Sequence, residues 1–253
     1  MIDIYDKLYI ITNMTNYGTM AELLFPTRCA GCGKYAGGPL CPDCNASLPL
    51  IRGPVCRLCG KPTLYAVDTC LDCRGRIRHL DATVALAVYE EPLRSAIHRL
   101  KYANGWRLAP PLGAMAAVRL APGLECRHPL VTYVPMHRRK RRERGYDHAE
   151  KLADGIARAL GLPVVHLLER TRPTKAQSTL SHDDRRRNVK GVFKAIGEGL
   201  RGEEIVLVDD VLTTGYTLSE CAGALKRAGA GRITACVLAR DLIWGCARPP
   251  GRA

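Results

Sequence analysis

From Ala82 onward, apolar residues fall alternately into short runs and helical stripes. Ala82–Tyr89 (ATVALAVY) reads as a strand. Pro92–Tyr102 (PLRSAIHRLKY) reads as an amphipathic helix, with proline in the first turn, where a missing N–H costs little. A second helical stretch covers Leu108–Leu120, a short apolar strand Leu130–Val134, and a helix runs from about Tyr146 to Leu160. Gly161–Thr171 suggests a short strand and loop. Ile205–Val208 is four consecutive apolar residues, suited to a parallel strand buried on both faces. A helix over Thr217–Ala228 and a strand over Arg232–Ala239 complete a βαβ unit. Such alternation predicts an α/β fold, a parallel sheet covered by helices. Two segments carry no apolar stripe: His137–Arg144, a basic segment after a strand, and residues 172–191, which read as a long functional loop.

The pattern is different before Ala82. Four CxxC pairs lie within residues 29–73, and they form an internal repeat: Cys29/Cys32 recur as Cys56/Cys59, and Cys41/Cys44 as Cys70/Cys73. Two CxxC turns complete a tetrahedral S₄ site. Sequential pairing gives Cys29, Cys32, Cys41 and Cys44 in one site and Cys56, Cys59, Cys70 and Cys73 in the other; spacing alone leaves a crossed pairing open. Zinc is the expected metal, in two closed structural sites, with iron–sulfur ligation the alternative. Disulfides are disfavoured in a chain with no signal-peptide pattern. Gly33 and Gly60 end the first knuckle of each unit, where a positive φ is expected. Leu48–Pro54 (LPLIRGP) reads as a linker between the units. Met20 opens MAELLFPTRCAGCG, which resembles a natural start. Residues 1–24 are therefore expected to be an extension, either loosely ordered or upstream of the true start codon. The other divisions expected are a double zinc module over 25–78, an α/β domain over 79–243 and a disordered tail over 244–253.

Composition narrows the classes further. The chain has 253 residues, 47% of them hydrophobic, and a formal charge of +14, or +10 with eight thiolates holding two Zn²⁺. It is expected to be globular and cytoplasmic, with no membrane insertion, since it has no apolar run of about 18 residues. The positive balance favours a polyanionic ligand, either a phosphate-rich small molecule or nucleic acid.

The sharpest chemical signal is Ile205–Thr217 (IVLVDDVLTTGYT). Asp209 and Asp210 follow the apolar run at the carboxyl end of a strand, where ligands bind in open α/β sheets. Thr213, Thr214, Gly215, Tyr216 and Thr217 then open a helix. Backbone N–H groups, the helix dipole and three threonine hydroxyls favour a phosphate there, and Gly215 lets the backbone come close. Carboxylates repel phosphate, so their partners would be sugar hydroxyls, directly or through Mg²⁺. Phosphate and sugar recognition side by side describe a ribose 5-phosphate.

This element resembles the 5-phosphoribosyl-1-pyrophosphate (PRPP) signature of type I phosphoribosyltransferases. The wider chain resembles the ComF family of competence-associated proteins, from about Met20 to Arg240. The likeness is carried by LLFPTRCAGCG, RLKYANG (Arg99–Gly105), VPMHRRKRRERGYDHAEKLA (Val134–Ala153), the stretch from Thr174 through Gln177, Leu180, Arg185, Asn188 and Gly191 to Phe193, and the PRPP element. The resemblance implies a type I phosphoribosyltransferase fold with a hood, preceded by a double zinc ribbon. It implies Mg²⁺ with PRPP, diphosphate contacts from His137–Arg144, chiefly Arg144 with Gly145, and closure by a hood that carries Gln177, Arg185 and Asn188. The family pattern resembles RGFNQA where this chain has RGYDHA. No ligand role is therefore carried onto Asp147 and His148.

Three functions fit these features. The first is phosphoribosyl transfer from Mg·PRPP to an acceptor that no segment identifies. The second is a PRPP sensor that binds single-stranded DNA through its basic segments without turnover; the few aromatics, 6%, argue against an extensive stacking platform. The third is a docking module whose ribbons recruit DNA-processing competence proteins. The favoured reading is PRPP binding in DNA uptake, with turnover open.

Overall fold

The computed structural model describes residues 28–102, 105–126, 128–174, 182–197 and 199–242; side chains at 182, 183, 185 and 186 are outside this description. The extension, the tail and Gln177 therefore lie outside the described residues, as does the side chain of Arg185.

Four strands form a parallel sheet in the order β1-β6-β5-β2: β1 Ala82–Val88, β2 Leu130–Tyr133, β5 Ile205–Leu212 and β6 Ile233–Arg240. A separate antiparallel pair joins β3 Leu168–Arg170 to β4 Phe193–Ala195. The helices are α1 Pro42–Ala46, α2 Leu93–Lys101, α3 Ala109–Leu120, α4 Arg138–Arg144, α5 His148–Leu160, α6 His182–Val189 and α7 Tyr216–Arg227. Along β5, Val206 and Val208 enter one core with Leu112, Leu152 and Ile156 of α3 and α5. Ile205 and Leu207 enter the other core with Leu218 and Leu225 of α7. Both faces are covered, which is why the strand is a continuous apolar run rather than an alternation.

Three readings change. The basic segment forms helix α4 instead of a loop. It has no apolar stripe because it is exposed on nearly every side. His137 caps its start and Gly145, at φ +85°, ends it. Residues 182–189 of the expected loop form α6, which packs on α7. Leu48–Pro54 acts as more than a linker: Leu50 bridges Ala87, Ile51 N–H donates to Leu86 O (3.1 Å) and Val88 N–H to Pro49 O (2.9 Å). The segment covers the outer edge of β1, which would otherwise present unpaired backbone groups.

Candidate functional site

Each set of four cysteines gathers as the sequential pairing expects, with sulfurs within 4.8 Å of one another. Cys32 and Cys41 sulfurs are 3.8 Å apart; Cys56–Cys73 and Cys59–Cys70 are 3.6 Å apart. Four sulfurs at about 2.3 Å from a tetrahedral Zn²⁺ would stand about 3.8 Å apart. Backbone N–H groups of Cys41 and Cys70 donate to the Cys29 and Cys56 sulfurs, both at 3.2 Å, which favours thiolate. Gly33 and Gly60 have φ of +82° and +68°. These are two Cys₄ sites that fit structural zinc.

The second candidate centre lies at the carboxyl end of β5. The strand continues past the apolar run, so Asp209 and Asp210 are inside it and point to opposite faces. Asp210, 5% exposed, turns toward α2 and α5. Its Oδ2 is 2.7 Å from Lys101 Nζ, at the end of α2, and 2.9 Å from His148 Nε2, at the start of α5. At these distances both groups support the buried carboxylate. Asp209 Oδ1 accepts from Asp210 N–H at 2.8 Å. Burial and then the charge of Asp210 push the Asp209 carboxyl up to about 7. Burial also works against the Asp210 carboxylate, but Lys101 and His148 outweigh it and hold Asp210 below the usual carboxylate range.

Arg144 reaches the same cluster. Its Nη1 lies 3.0 Å from His148 Nδ1. A guanidinium only donates, so Nδ1 accepts and the ring proton sits on Nε2, facing Asp210. Arg144, His148 and Asp210 therefore form a line from α4 to β5. The other cations of α4 are more exposed, and some are held locally: Arg139 pairs with Glu143 and Arg141 with Glu150, both at 2.9 Å. Asp147 is a structural residue, 1% exposed. It caps α5 by accepting from Ala149 N–H (3.0 Å) and also accepts from Met136 N–H (2.7 Å).

Thr213 and Thr214 form the turn between β5 and α7, half-buried, with Thr217 in the first turn of the helix. Gly215 sits at φ +82° as the first cap of α7. A Cβ there would lie 2.6 Å from Ile77 Cγ1, so the close approach that requires glycine is to the segment after the second Cys₄ site. Asn188 is half-buried on α6. Lys101 and His148 are the site residues that the sequence reading left without a role. Both stood inside quoted motifs, RLKYANG and RGYDHA, but nothing local ties either of them to Asp210.

Among the described residues, no helix is long and apolar enough to cross a membrane. The double zinc ribbon domain model matches residues 20–74, and the phosphoribosyl transferase domain model matches residues 147–243. Competence protein F of Haemophilus influenzae is 30% identical over 229 residues, 87% of this chain and 95% of that protein. The DNA utilization protein YhgH of Escherichia coli K12 is 31% identical over 194 residues, 74% of this chain and 85% of that protein. Competence protein ComFC of Bacillus subtilis is 26% identical over 199 residues, 75% of this chain and 79% of that protein. At 30% identity over most of both chains, and with both domain models in the same order, this chain belongs to the competence protein F family, a double zinc ribbon followed by a phosphoribosyltransferase-like domain.

Proposed function

We propose that this protein binds PRPP at the carboxyl end of β5 and serves in DNA uptake and use in the cytoplasm, as the names of its relatives suggest. The observation that carries the reading is the acidic pair at the end of β5, with Asp210 a buried carboxylate beside Lys101 and His148, one short turn before a glycine-capped helix. Ribose hydroxyls would donate to Asp209 and Asp210, and the 5-phosphate would take the N-terminal end of α7. The diphosphate would lie toward Arg144 and Lys101. Mg²⁺ would enter with it, since the oxygens of Asp209 and Asp210 are hard donors of the kind it takes. In a transfer reaction, the acceptor lone pair bonds to C1 of the ribose. The C1–O bond breaks, and its electron pair leaves with pyrophosphate. The residues present would act by positioning and charge, with no covalent nucleophile required. Calorimetry with Mg·PRPP should give saturable binding of one PRPP per chain, and a panel of bases tests turnover through pyrophosphate release. Absence of PRPP binding would overturn the reading; binding without release would leave a sensor.

One observation favours contact with single-stranded DNA as well. Tyr102 and Trp106 are exposed, at 55% and 43%. The Arg144 guanidinium lies 5.1 Å from the Tyr102 ring centre, and that of Arg107 lies 5.5 Å from the Trp106 ring centre. The Arg144 contact places Tyr102 beside α4, whose other basic side chains are exposed. Exposed aromatic rings against guanidinium groups form a small stacking surface, a signal that the low aromatic content hid. Trp106→Ala should weaken oligothymidine binding by about 5- to 150-fold, the range of one lost base stack. Arg138→Ala should instead lower the slope of affinity against salt by about one. Titrations by fluorescence anisotropy at several salt concentrations check both, and unchanged affinity in both variants would remove DNA from this face.

A further inference from the structure

The second Cys₄ site and the phosphate loop share one buried cluster. Cys56, Cys59, Cys73 and Ile77 pack with Leu212, Leu218, Cys221 and Ala222, residues that bracket the loop. Two connections run from the metal site to the loop. Ile77, whose N–H donates to Cys73 O at 3.1 Å, is the side chain against Gly215. Its neighbour Arg78 is clamped to Ser219 of α7: Arg78 N–H donates to Ser219 Oγ at 2.6 Å, and the Ser219 hydroxyl donates to Arg78 O at 3.0 Å. The far side of the loop is held by Arg240, only 4% exposed at the end of β6, whose Nη1 donates to Leu212 O (3.0 Å) and Thr213 O (2.8 Å).

The first Cys₄ site is embedded differently. Cys29, Cys41 and Cys44 form their own small cluster, joined to the sheet domain through Arg99 of α2, which donates to Cys29 O.

We propose that zinc at the second Cys₄ site and PRPP at the phosphate loop are linked ligands, each strengthening the hold on the other through Ile77 and the Arg78–Ser219 clamp. This rests on the PRPP reading above. A loop whose glycine abuts Ile77, leading into a helix clamped to Arg78, keeps its phosphate-binding shape only while the ribbon segment stays in place. By reciprocity, PRPP must then raise zinc affinity by the same factor as zinc raises PRPP affinity.

The test uses the full chain with both zincs loaded. Equilibrium competition with 4-(2-pyridylazo)resorcinol reads the two zinc affinities, with and without saturating PRPP, and Cys32→Ser identifies the first site by removing it. PRPP should raise second-site zinc affinity by a factor in the typical coupling range, roughly 5- to 150-fold, and change the first site less than twofold. Ile77→Ala combined with Ser219→Ala should shrink that factor to near one. Ile77→Ala alone, a milder change that should leave both zincs bound, should at least halve it. PRPP binding by calorimetry with no change in zinc affinity would overturn the linkage and leave the PRPP site standing. Equal strengthening of both zinc sites would overturn the route through Ile77 and Arg78. Failure of the two-zinc protein to bind PRPP would overturn the functional reading beneath it.

Discussion

Replacing Asp209 and Asp210 by alanine together should abolish PRPP binding while both Cys₄ sites stay loaded. Hydrogen bonds to a charged group contribute about 1.5–3 kcal/mol each. Losing one to each carboxylate therefore weakens binding by about two to four powers of ten. Asp210 is the more sensitive member, because it is the more buried of the two and faces Lys101 and His148. Removing it also leaves two basic groups beside an apolar side chain. Asp210→Asn, which keeps the shape, separates lost recognition from lost folding. Calorimetry with Mg·PRPP, beside a thermal melt and a zinc count for each variant, makes the measurement. An affinity within threefold of the parent protein for the double alanine variant would show that the ribose does not sit on this pair.

Loss of the second zinc site should destabilise the whole chain far more than loss of the first. Cys59 is fully buried in the cluster that also holds Ile77, Ala85, Leu212 and Leu218, whereas Cys32 is exposed and its partners form a separate group of three. Structural zinc contributes on the order of 10–16 kcal/mol to small zinc-finger peptides, comparable to the total stability of an ordinary domain. Only a part of that reaches the sheet. Even so, Cys59→Ser should cost about 4 kcal/mol or more, which for a domain of this size lowers Tm by roughly 8–16 °C. Cys32→Ser should lower Tm by less than about 4 °C, near the effect of 1 kcal/mol. Both variants should lose one zinc by mass spectrometry, so the comparison isolates where each site is embedded. Equal shifts in Tm would contradict the unequal packing.

Much of the architecture was legible because its signals are local. The CxxC repeat announces its own geometry, since a separation of three residues around a turn brings two sulfurs together. The run Ile205–Val208 announces a strand buried on both faces. Helix α2 is readable from its apolar stripe, with Leu93, Ala96, Ile97 and Leu100 all buried. Helix α4 was not readable by that route. Its helical state rests on arginine and lysine propensity and on two caps, with no buried face to impose a period. The polar helix α6 escaped because its sequence, HDDRRRNV, offers a single apolar residue, Val189, and so no stripe to read. The strand end was placed too early because Asp209 and Asp210 interrupt the apolar run, although the ladder to β6 continues to Leu212.

The candidate site divides along the same line. The residues of the phosphate turn and the acidic pair are contiguous, so the sequence by itself determined their identity, their order and the ligand chemistry they suit. It also determined the eight cysteines and the sequence of strands and helices. The tertiary structure decided what those groups face. Lys101 and His148 reach Asp210 only because α2 ends and α5 begins beside the carboxyl end of β5. Ile77 meets Gly215, and Arg78 meets Ser219 across 141 residues of chain, only because the ribbon packs on α7. Contacts of that kind leave no spacing in the chain to read, since they depend on how whole elements pack. The reason the chain needs a glycine in the phosphate turn is thus partly written in the zinc ribbon.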